Sequence, residues 1–126
     1  LAARGHPMVP LRKKLNLPRM TTFDVKRVKP RTYVKTSGLL LVRQKPPTAK
    51  GACFGAIEDE HGFLDLVLFK KDYDNLKDIF LRHCFLIVEG YIDRDGYSVS
   101  MIVKKLEPMF KDEKDALTIE PHQYFW

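Results

Sequence analysis

By type and spacing, Phe54 is the residue of this chain best suited to meet a flat, stacking ligand. In the run Cys53-Phe54-Gly55-Ala56-Ile57-Glu58, alternation from Ile57 as a core residue turns Cys53 and Gly55 inward and Phe54, Ala56 and Glu58 outward, leaving an aromatic ring on an open strand face. Cations precede it closely: Arg43 and Lys45 at the end of one strand, Lys50 in the loop that follows, and Lys35 earlier on the same strand. A ring beside a row of cations is the pattern that holds single-stranded nucleic acid, with the ring stacked on a base at about 1–3 kcal/mol and the cations following the phosphates. Two plainer readings compete: the ring packs beneath the basic N-terminal arm, and strand-end lysines and arginines serve solubility alone. Phe69 is either a second stacking platform or the anchor of the helix that starts after it, the latter being favoured. Arg94, in the last turn, would approach from the other side, but Asp93 and Asp95 flank it and offset much of its charge.

The elements that must position these groups follow from periodicity. Tyr33 to Lys45 reads as a long first strand, with Gly38 as the place where it bulges or bends. Pro46 and Pro47 end it, and ACFGAIED makes a second strand. Glu60-His61-Gly62 is a tight turn into a third, in which Leu64, Leu66 and Leu68 share the inner face and Phe63, Asp65, Val67 and Phe69 the outer. The period then changes, and Tyr73, Leu76 and Phe80 predict a helix over 70–82 with Asp72 as its N-cap. Residues 84–93 and 97–106 form a closing hairpin, with Asp95-Gly96 supplying the turn chemistry. Five strands with one helix between strands 3 and 4 is the order of the all-β OB-fold, a five-stranded Greek-key barrel whose binding surface is strands 2 and 3 and the 1–2 and 4–5 loops. The barrel occupies 32–106. Residues 1–31, with Pro7, Pro10, Pro18 and Pro30, read as a basic linker or extension with one or two helical turns, and 107–126 as a tail whose Tyr124, Phe125 and Trp126 cap the barrel, contact a partner or fray.

Charge is unevenly spread. Residues 1–50 hold 13 Lys/Arg and one acid, Asp24, whereas 51–126 hold 9 bases and 15 acids, so net charges of +12 and −6 make up the total of +6. Such polarity suits a polyanionic partner, although solvated basic tails give the same count. Catalysis finds little support: His6, His61, His83 and His122 are scattered, Ser37, Ser98 and Ser100 lack a nucleophile-elbow context, and no phosphate-binding glycine loop occurs. Glu58, Asp59 and Glu60 read as a solvated hairpin end rather than a metal site. Cys53 and Cys84 lack metal-ligand spacing and read as reduced, buried thiols. No cofactor, no metal and no membrane partner is expected, and with neither a spanning run nor a secretion signal the expected location is cytoplasmic. A start at Leu-Ala-Ala and an end at Trp126 suggest a domain of a longer polypeptide.

The run SGLLLVRQKPPTAKGACFGAIEDEHGFLDLVLF at 37–69 resembles the OB domain of C-family bacterial DNA polymerases, the DNA polymerase III alpha subunits, and LVRQKPPTAKG within it is closer to their error-prone branch. GHPMVPLR at 5–12 is similar to the GHPL-and-Arg element that precedes this domain in those polymerases. Gly55-Ala56 replaces a usually bulkier pair, and Pro47 stands where the error-prone branch often has glycine. The resemblance implies a module that holds single-stranded template DNA, beside other replication proteins. It also implies that polymerisation on catalytic aspartates and magnesium belongs to a palm domain outside this chain, so that the chain itself is not an enzyme. Phe54-x-x-Ile57-Glu58-Asp59 with Gly62 also resembles the hairpin of anticodon-binding OB domains of class II aminoacyl-tRNA synthetases, where the matching aromatic stacks on an RNA base. An RNA-binding module and a protein-interaction module are the alternatives.

Overall fold

Alternate residues of five strands point at a common axis. The computed structural model, which describes residues 5–111, closes β1 (Tyr33–Gln44), β2 (Cys53–Asp59), β3 (Gly62–Leu68), β4 (Phe85–Asp95) and β5 (Ser98–Pro108) into a barrel ordered β1-β2-β3-β5-β4. Neighbours are antiparallel except where Asp65–Val67 of β3 runs parallel to Ser100–Ile102 of β5. This is the OB barrel that the strand order predicts, with helix α3 (Lys70–Arg82) between β3 and β4. Leu40, Ile57, Leu64, Leu66, Leu68, Val88, Ile92, Met101 and Val103 fill the interior.

The helix adds Tyr73 and Phe80 to that interior, two turns apart on one face, and Phe80 is fully buried. Gly55 makes room for it: a Cβ there would lie 3.1 Å from Phe80 Cζ and 2.9 Å from the Val42 carbonyl oxygen. Between the helix and the barrel, therefore, one small residue on β2 fixes where one large residue on α3 can sit.

Several local expectations change. Phe69, not Asp72, is the N-cap of α3; Asp72 lies inside the first turn, where its carboxylate accepts a 3.1 Å hydrogen bond from Lys104 Nζ. The β4–β5 turn is Gly96-Tyr97, because Asp95 still pairs with Ser98. Gly38 does not bulge. It marks a close approach, where a Cβ would sit 2.8 Å from the Glu58 carbonyl oxygen, and the irregularity of β1 falls between Leu40 and Val42.

The stretch read as a linker is packed on the barrel over its described part, 5–31. Helix α1 (Met8–Lys14) buries Met8 and Leu11 with Phe85, beside Leu39, in a second small core. Helix α2 (Thr22–Val25) starts with a capping box between Thr21 and Asp24 and puts Val25 into the main core. Hydrogen bonds from Thr21 hold the Asp24 carboxyl below its ordinary range. Tyr124, Phe125 and Trp126 lie outside the described residues.

Phe80→Ala should cost roughly 3–5 kcal/mol, the range for emptying an aromatic core site. Leu81→Ala, on the exposed side of the same helix, should change stability by about 0.5 kcal/mol or less. Urea unfolding followed by circular dichroism measures both.

Candidate functional site

The side of β1 that faces β2's outer surface is set by one extra residue. Leu40 pairs with Ile57, but the next pairs are Val42 with Ala56, Arg43 with Gly55 and Gln44 with Phe54, so Leu41 is the unpaired residue of a bulge. Strict alternation from the buried Leu40 would turn Val42 inward and Arg43 outward; the bulge reverses both. Val42 and Gln44 thus join Phe54 and Ala56 on the outer face, and Phe54 pairs onward with Val67, Ala56 with Asp65. These six residues line an open cleft of about 330 Å³. Phe54 is half-buried in its wall, with an apolar neighbour at Val67 and a polar one at Gln44.

Of the sequence-predicted site residues, only Phe54 lines this cleft. Arg43 is turned to the end of α3, where Nε donates to the Phe80 carbonyl at 2.7 Å and Nη2 to that of His83 at 3.1 Å. It satisfies helix-end carbonyls that the helix itself leaves without donors. Lys45, two residues on and on the same side, sets its ammonium 4.6 Å from the centre of the Tyr73 ring. Lys50 is exposed in the β1–β2 loop, at φ 55°, after a 3₁₀ turn at Pro47–Ala49.

Lys35 belongs to the half of β1 that pairs with β4, away from Phe54, with Nζ 3.9 Å from Glu89. Glu89 also accepts from the Tyr33 hydroxyl at 2.7 Å, and that bond pushes the Tyr33 pKa up to about 12. Phe69 is half-exposed at the head of α3, consistent with a helix-start position. Arg94 donates to the carbonyls of Lys26 at 2.6 Å and Val28 at 3.2 Å, tying the chain after α2 to β4. Cys53 faces the core, and burial pushes its thiol pKa up.

The hairpin read as solvated is instead bonded to the N-terminal segment. The Asp59 side chain is fully buried and accepts from Thr22 N at 2.8 Å, Thr22 Oγ1 at 2.6 Å, His61 N at 2.8 Å and Arg12 Nη2 at 3.1 Å. Arg12 Nε donates to Glu60 at 2.7 Å. His6, buried, accepts from Met8 N at Nδ1 (3.1 Å), so Nε2 carries the proton that it donates to Glu58 at 2.9 Å. Strands β2 and β3 are thereby held at their turn by the N-terminal segment. Sequence reading missed these partners. The available signal was the GHPMVPLR element, whose histidine and arginine both reach the hairpin, beside Thr22 from α2.

Burial alone would raise the Glu60 carboxyl, but the Arg12 hydrogen bond, with the charges of Arg12 and His61, brings it below its ordinary 4.5. The unfolded chain then takes up this proton at a higher pH than the folded one. The resulting stabilisation is complete above pH 4.5 and is lost as pH falls through the lowered folded value. Arg12→Ala should therefore fall furthest below wild type at neutral pH, and the gap should narrow in acid below 4.5. Urea midpoints measured across that range test it.

Among known proteins, a family model described as an OB-fold nucleic acid binding domain matches residues 34–109. The chain is 36% identical over 107 residues to an error-prone DNA polymerase of Agrobacterium fabrum, covering 84% of this chain and 10% of that protein. It is 34% identical over 110 residues to one of Anaeromyxobacter dehalogenans, covering 86% and 10%. It thus spans about a tenth of the length of these curated relatives. In fold it is similar to asparaginyl-tRNA synthetase from Pyrococcus horikoshii, with a TM-score of 0.58 at 18% identity over 82% of this chain and 27% of that one. Among the described residues no helix is long and apolar enough to cross a membrane.

Proposed function

Because the chain belongs to the OB-fold nucleic acid binding domains, we propose that it binds single-stranded DNA in the cleft on the outer face of β1, β2 and β3, as the template-holding module of an error-prone-type DNA polymerase. The observation that carries this reading is the Phe54 ring, which lines an open cleft between Gln44 and Val67. A base laid on that ring gains stacking energy whatever its identity, since every base has a π-face. Lys50, exposed in the loop that joins β1 to β2, is the sequence-predicted cation left beside the cleft to meet a phosphate; Lys35 lies beside Glu89 on the β4 side, and Arg43, Lys45 and Arg94 act in the fold instead. In this reading the chain needs no cofactor, carries out no reaction itself and works in the cytoplasm, where polymerisation is done by other parts of the longer protein.

RNA is the second reading, favoured by the likeness of the fold to asparaginyl-tRNA synthetase. Competition of tRNA against a DNA oligomer separates the two, since an anticodon-type site would release DNA to tRNA.

The test is a titration of a fluorescent, mixed-sequence single-stranded DNA twelve-mer at several salt concentrations. Phe54→Ala should weaken binding by about 1–3 kcal/mol at every salt concentration. Lys50→Ala should reduce the log–log salt slope by about 0.7, the share of one phosphate on a single strand. Arg43→Ala should lower stability and leave the slope alone. If Phe54→Ala leaves DNA binding unchanged, the face serves a protein partner instead.

A further inference from the structure

Asp65 is the one carboxylate in the lining of the Phe54 cleft. It is exposed, stands opposite Ala56 and lies diagonally from Phe54 across the β2–β3 pair, a spacing of roughly 7–8 Å between backbone positions and within reach of long or aromatic groups. Glu58, the other acid on this side of β2, is bonded to His6, whereas Arg43 and Lys45 of the neighbouring strand are directed to α3. No side chain of the described residues donates a hydrogen bond or forms an ion pair to Asp65, and its partner in register on β5 is Ser100.

A carboxylate accepts hydrogen bonds and donates none, and it repels phosphate. A nucleotide whose base lies on Phe54 would therefore meet Asp65 with its base edge, the phosphate being kept toward the loop. The edges differ in what they offer. Cytosine and adenine present an exocyclic amino group, and guanine an amino group beside a ring N–H, whereas thymine and uracil present carbonyl oxygens on either side of one N–H. The first three can donate to Asp65 without placing an oxygen against it.

We infer that the cleft selects amino-bearing bases, cytosine, adenine and guanine, over thymine and uracil, with Asp65 as the specificity-determining residue and Phe54 as the platform. The inference rests on the single-strand-binding reading above and narrows it: stacking sets how tightly a strand is held, and Asp65 sets which base is preferred at the ring.

Oligo-dC and oligo-dT of twelve nucleotides make the sharpest pair, since both are pyrimidines and differ at the edge that Asp65 would read. Fluorescence anisotropy on the full chain, at neutral to mildly alkaline pH, gives both affinities for wild type, Asp65→Asn and Phe54→Ala, each first checked for a wild-type-like thermal transition. Wild type should bind oligo-dC about fivefold or more tightly than oligo-dT, the lower end of what one good base-edge contact discriminates. Asp65→Asn, which can donate as well as accept, should bring the two within about twofold by the same rule, and Phe54→Ala should weaken both. If wild type binds both equally and Phe54→Ala still weakens them, the inference is overturned and the binding reading stands. Base selection by Asp65 is equally overturned, with the binding reading intact, if Asp65→Asn tightens both by one factor and leaves the ratio unchanged, because Asp65 then acts only as bulk charge. Binding of neither oligomer overturns both readings.

Discussion

The extra residue at Leu41 decides what β1 does on each of its sides. Upstream of it the strand follows the barrel's alternation, with Val34, Thr36 and Leu40 buried. Downstream, the parity is inverted. The inversion sends Arg43 and Lys45 to α3, where one meets the carbonyls of Phe80 and His83 and the other the ring of Tyr73. Both contacts fall on the helix that puts Phe80 into the core, so the bulge and the core packing support one another. It also leaves Val42 and Gln44 to form a wall of the cleft. Bulges re-aim side chains by leaving one residue unpaired, and here one such residue separates the helix-facing side of the strand from its cleft-facing side.

At the opposite end of the same sheet, rigidity comes from a buried charge. Removing the Asp59 carboxylate from water is costly unless charged and neutral donors surround it. Arg12, both donors of Thr22 and the amide of His61 do so. Such an arrangement adds little net stability compared with an apolar one of the same shape, but its donors come from a segment far away in sequence, so it specifies where that segment docks. The hairpin that carries Phe54 and Asp65 is thereby fixed at its turn. Part of the charge polarity of the chain is neutralised internally here: Arg12, from the basic half, meets Asp59 and Glu60 from the acidic half.

What could be read in advance divides along local and non-local physics. Strand alternation in Leu64-Asp65-Leu66-Val67-Leu68 and helical spacing in Tyr73, Leu76 and Phe80 are local signals strong enough to place the elements and their order, and Phe54's outward side followed from alternation along β2 counted from Ile57. The parity of β1 beyond Leu40 was hidden, because Leu39-Leu40-Leu41-Val42 is apolar on both faces and marks no inner side. Gly38 drew the bulge to the wrong place, since a glycine in a strand serves close approach as readily as bending. The acids at 58–60 looked solvated because their partners lie some 37 to 52 positions away. Asp72 had the residue type of a cap but not the place. The chain enters α3 three residues earlier than a cap there would require, with Phe69 as the last extended residue.

The cleft that results is lined by one ring, apolar side chains, one amide and one carboxylate, with the neighbouring cations turned elsewhere. A nucleic-acid site of that composition draws its energy from stacking and base edges more than from phosphate neutralisation, so it gains less from counterion release than a basic groove does. Taken alone, such a module would hold a strand weakly. The relatives it matches are about ten times its length, and a weak site tethered to another strand-binding surface acts at the effective concentration set by the tether rather than at its own affinity. In the proposed role, weak holding is then an advantage. A template has to pass through the site one nucleotide at a time, and a contact that stacks, reads an edge and releases does not arrest it as a dense row of phosphate contacts would.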